Sequence, residues 1–106
     1  MMKKIKLKLD YKCFPVWVYN DNNDLIANDL PNTLINDIDI DSRCIKLQEM
    51  FDSLYLNNGM EFSYIGFEDA EKKRQFINNL NSIEEILRKK VGPDYEIIND
   101  IDEESL

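Results

Sequence analysis

The chain has 106 residues, with 21 Asp and Glu against 13 Lys and Arg, a formal net charge of −8 and no histidine. Without an imidazole, Ser–His–Asp triads, Cys–His dyads, imidazole proton shuttles and His-ligated zinc or haem are excluded, so the chain reads as a binding protein rather than an enzyme. Its length predicts a single domain, residues 1–106, and its acidity argues against direct binding to nucleic acid or an anionic membrane, which needs clustered Lys and Arg.

From the amino end, Ile5, Leu7 and Leu9 alternate with Lys4, Lys6 and Lys8 and continue through Tyr11, the period-2 pattern of a strand with one buried face. The lysines are expected to face water and to blunt a sheet edge against aggregation. Met1–Lys8 has no continuous apolar run, so it does not read as a secretory signal. After Pro15, the run Val16–Tyr19, the polar loop Asn20–Asp24 and Leu25–Ala27 predict a hairpin. If Val16 and Val18 point inward, Trp17 and Tyr19 lie on the other face, where the expectation for Trp17 is burial in core.

Asp29-Leu30-Pro31-Asn32 breaks regular structure. From about Ile38, the apolar residues Ile40, Cys44, Leu47, Phe51 and Leu54 recur at three- and four-residue intervals and predict a helix to about Leu56, with Asn57-Asn58-Gly59 as its stop. Glu61–Phe67 reads as a strand. Glu68 and Asp69 then open a second helix with negative charge at its amino end, and Phe76, Ile77, Leu80, Ile83, Leu87 and Val91 form its apolar stripe. Arg88, Lys89 and Lys90 precede Gly92-Pro93, the sign expected at a helix carboxyl end. Tyr95–Ile98 reads as a last strand, and the acidic residues 99–106 as a frayed end. The order β-β-β-α-β-α-β predicts an α+β fold, a two-layer sandwich of a mainly antiparallel sheet and two amphipathic helices.

Motifs that carry chemistry are sparse. Asp37, Asp39 and Asp41 alternate like the opening of a calcium loop, but the sixth position is Ser42 instead of glycine and the twelfth is Gln48 instead of glutamate. Helix capping and dipole compensation account for one or two of these acids, and the rest form an acidic edge. Asp21 and Asp24 fit turn chemistry in the hairpin loop. Gly59, Gly66 and Gly92 lie too far apart for a phosphate loop, and Cys13 and Cys44 lack metal or redox spacing. Neither a metal nor a cofactor is expected. The cysteines read as thiols of a reducing, cytoplasmic compartment.

Charge is unevenly spread. Residues 13–70 and 93–106 together hold 17 acids against two bases, while most bases lie in residues 1–12 and 71–92. A field of one sign repels itself, and its natural counterpart is a basic partner.

The Lys-rich first strand, Pro15–Asp21, Asn28-Asp29-Leu30-Pro31 and Glu61–Phe67 together resemble small bacterial immunity proteins. These accompany polymorphic or contact-dependent growth-inhibition toxins. The resemblance implies a cytoplasmic antidote that binds a cognate toxin, often a basic nuclease acting on tRNA, other RNA or DNA, and covers its active site or an essential surface. Carboxylates standing in for phosphates fit that role, and the candidate contacts are Asp37, Asp39 and Asp41 with Asp21 and Asp24. Two other readings stay open: an acidic inhibitor of phage or regulatory type that mimics nucleic acid, and a small hydrolase using carboxylates alone. The toxin's identity and the chain's oligomeric state are not legible.

Overall fold

The computed structural model describes residues 3–106; Met1 and Met2, part of the segment read for a signal, lie outside the described residues. Alternation in the first strand is realised as β1 (Lys3–Leu7), with Ile5 and Leu7 fully buried. β2 (Val16–Tyr19) pairs with it antiparallel, in a register that sets Ile5 opposite Val18 and Leu7 opposite Val16. β3 (Leu25–Ala27) completes the predicted hairpin.

Helix α1 (Ile38–Asp52) follows, then the short strands β4 (Tyr55–Asn57) and β5 (Phe62–Tyr64), helix α2 (Ala70–Lys90) and strand β6 (Tyr95–Asn99). The main sheet has the order β3-β2-β1-β6, and β4 and β5 form a separate antiparallel pair. One junction of the main sheet is parallel: β6 runs alongside β1, with Ile5 opposite Ile97. The α+β fold with its predicted element order is therefore present, its sheet mixed and one extra strand, β4, inserted.

Both helices lie on one face. Ile40, Cys44, Leu47 and Phe51 of α1 and Phe76, Leu80, Ile83 and Leu87 of α2 are buried, spaced by three and four residues as a helical stripe requires, and they close over Ile5, Leu7, Val16 and Ile97. Burial of these side chains is the dominant stabilising term. Asp69 caps α2 by accepting from Lys72 N at 2.8 Å. Gly92, with φ +74°, makes the left-handed turn into β6.

The structure revises five expectations. Helix α1 ends at Asp52, before Leu54 and Tyr55, although Leu54 stays in the core at 3% exposure. Its carbonyl instead accepts from Ile65 N (2.7 Å) and Gly66 N (3.1 Å), so pairing with the returning chain replaces the next helical turn. Gly59, expected to stop the helix, sits in the β4–β5 turn with φ +85°. Strand β1 is not an edge but lies between β2 and β6, and its lysines stand over rings on the uncovered face: Lys6 Nζ is 4.8 Å from the Tyr19 centroid and Lys8 Nζ 5.5 Å from that of Trp17. Trp17 is half-buried on this open face rather than in core, because Val16 and Val18 take the inward positions, and its Nε1 donates to Lys8 O at 3.2 Å. Residues 99–106 return to the body: Ile101 and Leu106 pack against the core, and Lys73 Nζ donates to Leu106 O at 3.1 Å.

Candidate partner-binding surface

The sequence-selected acids gather at one end of the molecule. The parallel β1–β6 register and the short connection from α2 to β6 place the start of β1, the β2–β3 loop and the carboxyl end of α2 together. The Asp37–Lys90 ion pair adds the amino end of α1. Asp21, Asp24, Asp37, Asp39 and Asp41 thus share an end, but the fold uses them differently.

Asp37 is a structural cap. Its φ of −80° and ψ of 100° turn its carboxylate back on the first turn, where it accepts from Ile40 N at 3.2 Å, and Lys90 closes on its other oxygen. The hydrogen bond from the Lys90 ammonium, then that from the Ile40 amide, holds the Asp37 carboxyl below the usual carboxylate range. Asp39 is paired with Arg43 one turn on, at 3.1 Å, and Arg43 also donates to Ser82 Oγ at 3.0 Å. Among the described residues, no cation lies in ion-pair contact with Asp21, Asp24 or Asp41. In the loop, Asn20 does the turn work by accepting from Asn22 N and Asp24 N, both at 2.9 Å, which leaves Asp21 and Asp24 exposed to solvent.

The remaining charge follows the same division. Pairs Arg74–Glu71, Arg88–Glu84 and Lys89–Glu85 lie within α2, one turn apart. Five of the 21 acids are thus ion-paired, which leaves 16 without a cation partner among the described residues.

The opposite end carries a feature the sequence did not assemble. Tyr55 contacts four rings: Tyr11 (5.2 Å between centroids), Phe51 (5.5 Å), Phe62 (5.2 Å, stacked at 4°) and Tyr64 (5.2 Å). The outer part of this cluster is open to solvent, with Phe62 at 55% and Tyr64 at 44% exposure. The aromatic content of Glu61–Phe67 was visible in sequence, but Tyr11 and Tyr55 belong to segments whose convergence only the fold shows.

Among the described residues, no group of three or more His, Cys, Asp or Glu is placed to hold a metal ion. No described helix is long and apolar enough to cross a membrane. Cys13 and Cys44 are free thiols, and burial, with Asp41 nearby, pushes that of Cys44 up to about 12.

The family model described as Serratia CdiI immunity protein-like matches residues 3–100. The chain belongs to that family. No curated protein matches it. It is thus an immunity protein of a contact-dependent growth-inhibition system, and such a protein protects by neutralising a cognate toxin. Nearly the whole described fold, from β1 to the residue after β6, falls inside the match.

Proposed function

We propose that this immunity protein neutralises a basic nuclease toxin in the cytoplasm, by binding without turnover and covering the surface on which that toxin holds phosphates. The observation that carries the reading is the set of 16 carboxylates left without a cation among the described residues. A nuclease displays Lys and Arg where phosphates bind, and carboxylates can take those hydrogen bonds as charge-assisted contacts. A one-signed field also speeds encounter with a basic protein.

Within the sequence-selected group, the reading assigns partner contact first to Asp21, Asp24 and Asp41. Asp37 and Asp39 add to the field while their oxygens serve Lys90, Ile40 and Arg43. The test is to purify the chain with the product of the neighbouring toxin gene and follow association across ionic strength. For Asp21→Asn, Asp24→Asn and Asp41→Asn combined, the association rate at low salt is expected to fall about tenfold and to converge on the parent's at high salt. A neighbouring toxin that binds with no salt dependence, or that is not a nuclease, overturns the proposal.

A further inference from the structure

Next to the Tyr55 cluster, a groove of about 450 Å³ runs between the β4–β5 pair and the carboxyl end of the chain. Its apolar wall is Leu9, Phe51, Tyr55 and Tyr64, and its polar wall includes Asp100 and Asp102. Neither aspartate is in an ion pair among the described residues. Asp102 accepts from Glu104 N at 3.0 Å and so is partly committed to the turn, whereas Asp100 is anchored only through its backbone, whose amide donates to Leu7 O at 3.0 Å. In the β4–β5 turn, Met60 is 97% exposed. Two cations lie nearby: Lys12 Nζ is 5.7 Å from the Tyr11 centroid, and Lys73 Nζ donates to the backbone oxygen of Leu106, which also lines the groove.

We propose that this groove is the short-range anchor for the toxin and that its occupant is an arginine-bearing loop of that protein. The inference rests on the basic-partner reading above and adds the place and chemistry of contact. Charge complementarity selects the occupant. Aromatic faces beside unpaired carboxylates suit a guanidinium, which stacks on a ring while its fork of donors meets carboxylate oxygens. A lysine gains less from the same wall, being compact and more strongly hydrated. Large aromatics at the centre of a patch, bordered by carboxylates, also have the composition of an interface hot spot. The Asp21, Asp24 and Asp41 end is set apart from the groove: Asp41 and the groove residue Phe51 are ten residues apart on α1, about 15 Å along the helix and beyond the screening length at physiological salt. The two ends therefore act differently: the distant charges steer, and the groove holds.

Two variants separate these roles. Tyr64→Ala removes an outer ring without touching the buried stripe, and Asp100→Lys reverses one wall charge. Each is checked by circular dichroism for retained fold and titrated against the toxin domain encoded next to this gene. Each is expected to weaken binding by about 30-fold or more, almost entirely through faster dissociation. On the toxin side, an Arg→Glu scan is expected to contain one variant whose lost affinity Asp100→Lys restores. Folded variants that bind within twofold of the parent overturn the groove while leaving the function intact. Binding lost by neither variant but abolished by Asp21→Asn, Asp24→Asn and Asp41→Asn also overturns it. A parent chain that binds no toxin refutes the underlying function instead. Sedimentation gives the last arm: a dimer of this chain that Tyr64→Ala dissociates would make the occupant a second copy, against the proposal.

Discussion

Asn28 ties the exit of β3 to the start of β2, and replacing it by aspartate offers a near-isosteric test of how the sheet edge is held. Its Nδ2 donates to Phe14 O at 2.6 Å and to Val16 O at 2.9 Å, while its Oδ1 accepts from Phe14 N at 3.1 Å. Asn28→Asp keeps the acceptor and turns the double donor into an oxygen facing two carbonyl oxygens. Two hydrogen bonds of about 1 kcal/mol each disappear, and the carbonyls of half-buried Phe14 and fully buried Val16 lose their donor, giving a cost of about 2–4 kcal/mol at neutral pH. Protonation of the introduced carboxyl restores one donor, so the folded state raises its pKa above the unfolded value near 3.9. The sign follows: the variant is least destabilised at low pH and loses stability as pH rises through the unfolded and then the folded pKa. Asn28→Ala loses all three bonds but titrates nothing, which makes it the control. Urea unfolding of both variants from pH 3 to pH 8 is expected to show their stability difference changing, with the Asp variant falling relative to the Ala variant as pH increases. A difference constant across that range would refute the assigned hydrogen bonding.

Four other outcomes follow from the same geometry. Asp37 has a lowered pKa because it accepts from Lys90 and Ile40, so it stabilises above the unfolded carboxyl range and that contribution fades as acid protonates it; Asp37→Asn is expected to flatten the acid limb of the stability curve, and an unchanged limb would contradict the pairing. Thiol counting with an aromatic disulfide reagent is expected to find Cys13 alone in the native protein and both cysteines in urea, since Cys44 is buried with its thiol raised to about 12. Cys13 itself is raised by burial and by Asp10 and Asp52, so its rate is expected to climb steeply with pH. Phe76 is fully buried, with its ring 5.4 Å from that of Phe67; Phe76→Ala is expected to cost about 3–5 kcal/mol in urea unfolding, and a cost below about 1 would mean that the helix layer is loosely packed. Finally, salt is expected to raise the melting temperature of the free chain by screening its net charge of −8, and a fall would mean that the internal ion pairs outweigh the repulsion.

What sequence periodicity conveyed was local, and the misreadings occurred where distant residues decided. The stripes 40, 44, 47, 51 and 76, 80, 83, 87 were legible because a helix repeats its buried face every three or four residues regardless of partner. Leu54 extends the first stripe by three and is buried, so its pattern cannot be told from one more helical turn; the difference lies in the bonds from Ile65 and Gly66, residues that reach it only after the β4–β5 reversal. The same holds at the surface. Capping by Asp37 is visible in the local sequence, but its partner Lys90 is 53 residues away. The aromatic hub joins Tyr11, before α1, to Phe51 in its last turn and to Tyr55, Phe62 and Tyr64 beyond it, and no spacing rule joins them.

The ion pairs also indicate what the acid surplus is for. Four of the five lie within a single helix, between side chains one turn apart, and only Asp37–Lys90 joins two elements. Exposed pairs of the first kind contribute a few tenths of a kcal/mol each, so the fold would lose little if most carboxylates were neutral. The core, in contrast, is closed by apolar side chains alone, with no buried polar or charged residue among those described. Asp37 and Asp69 cap the helices and Asp52 accepts from Lys12 N, but the mutual repulsion of the unpaired carboxylates opposes the compact state. On the proposed reading, binding of a basic partner to the unpaired acids at the two ends of the helix layer would relieve the repulsion that the free protein carries.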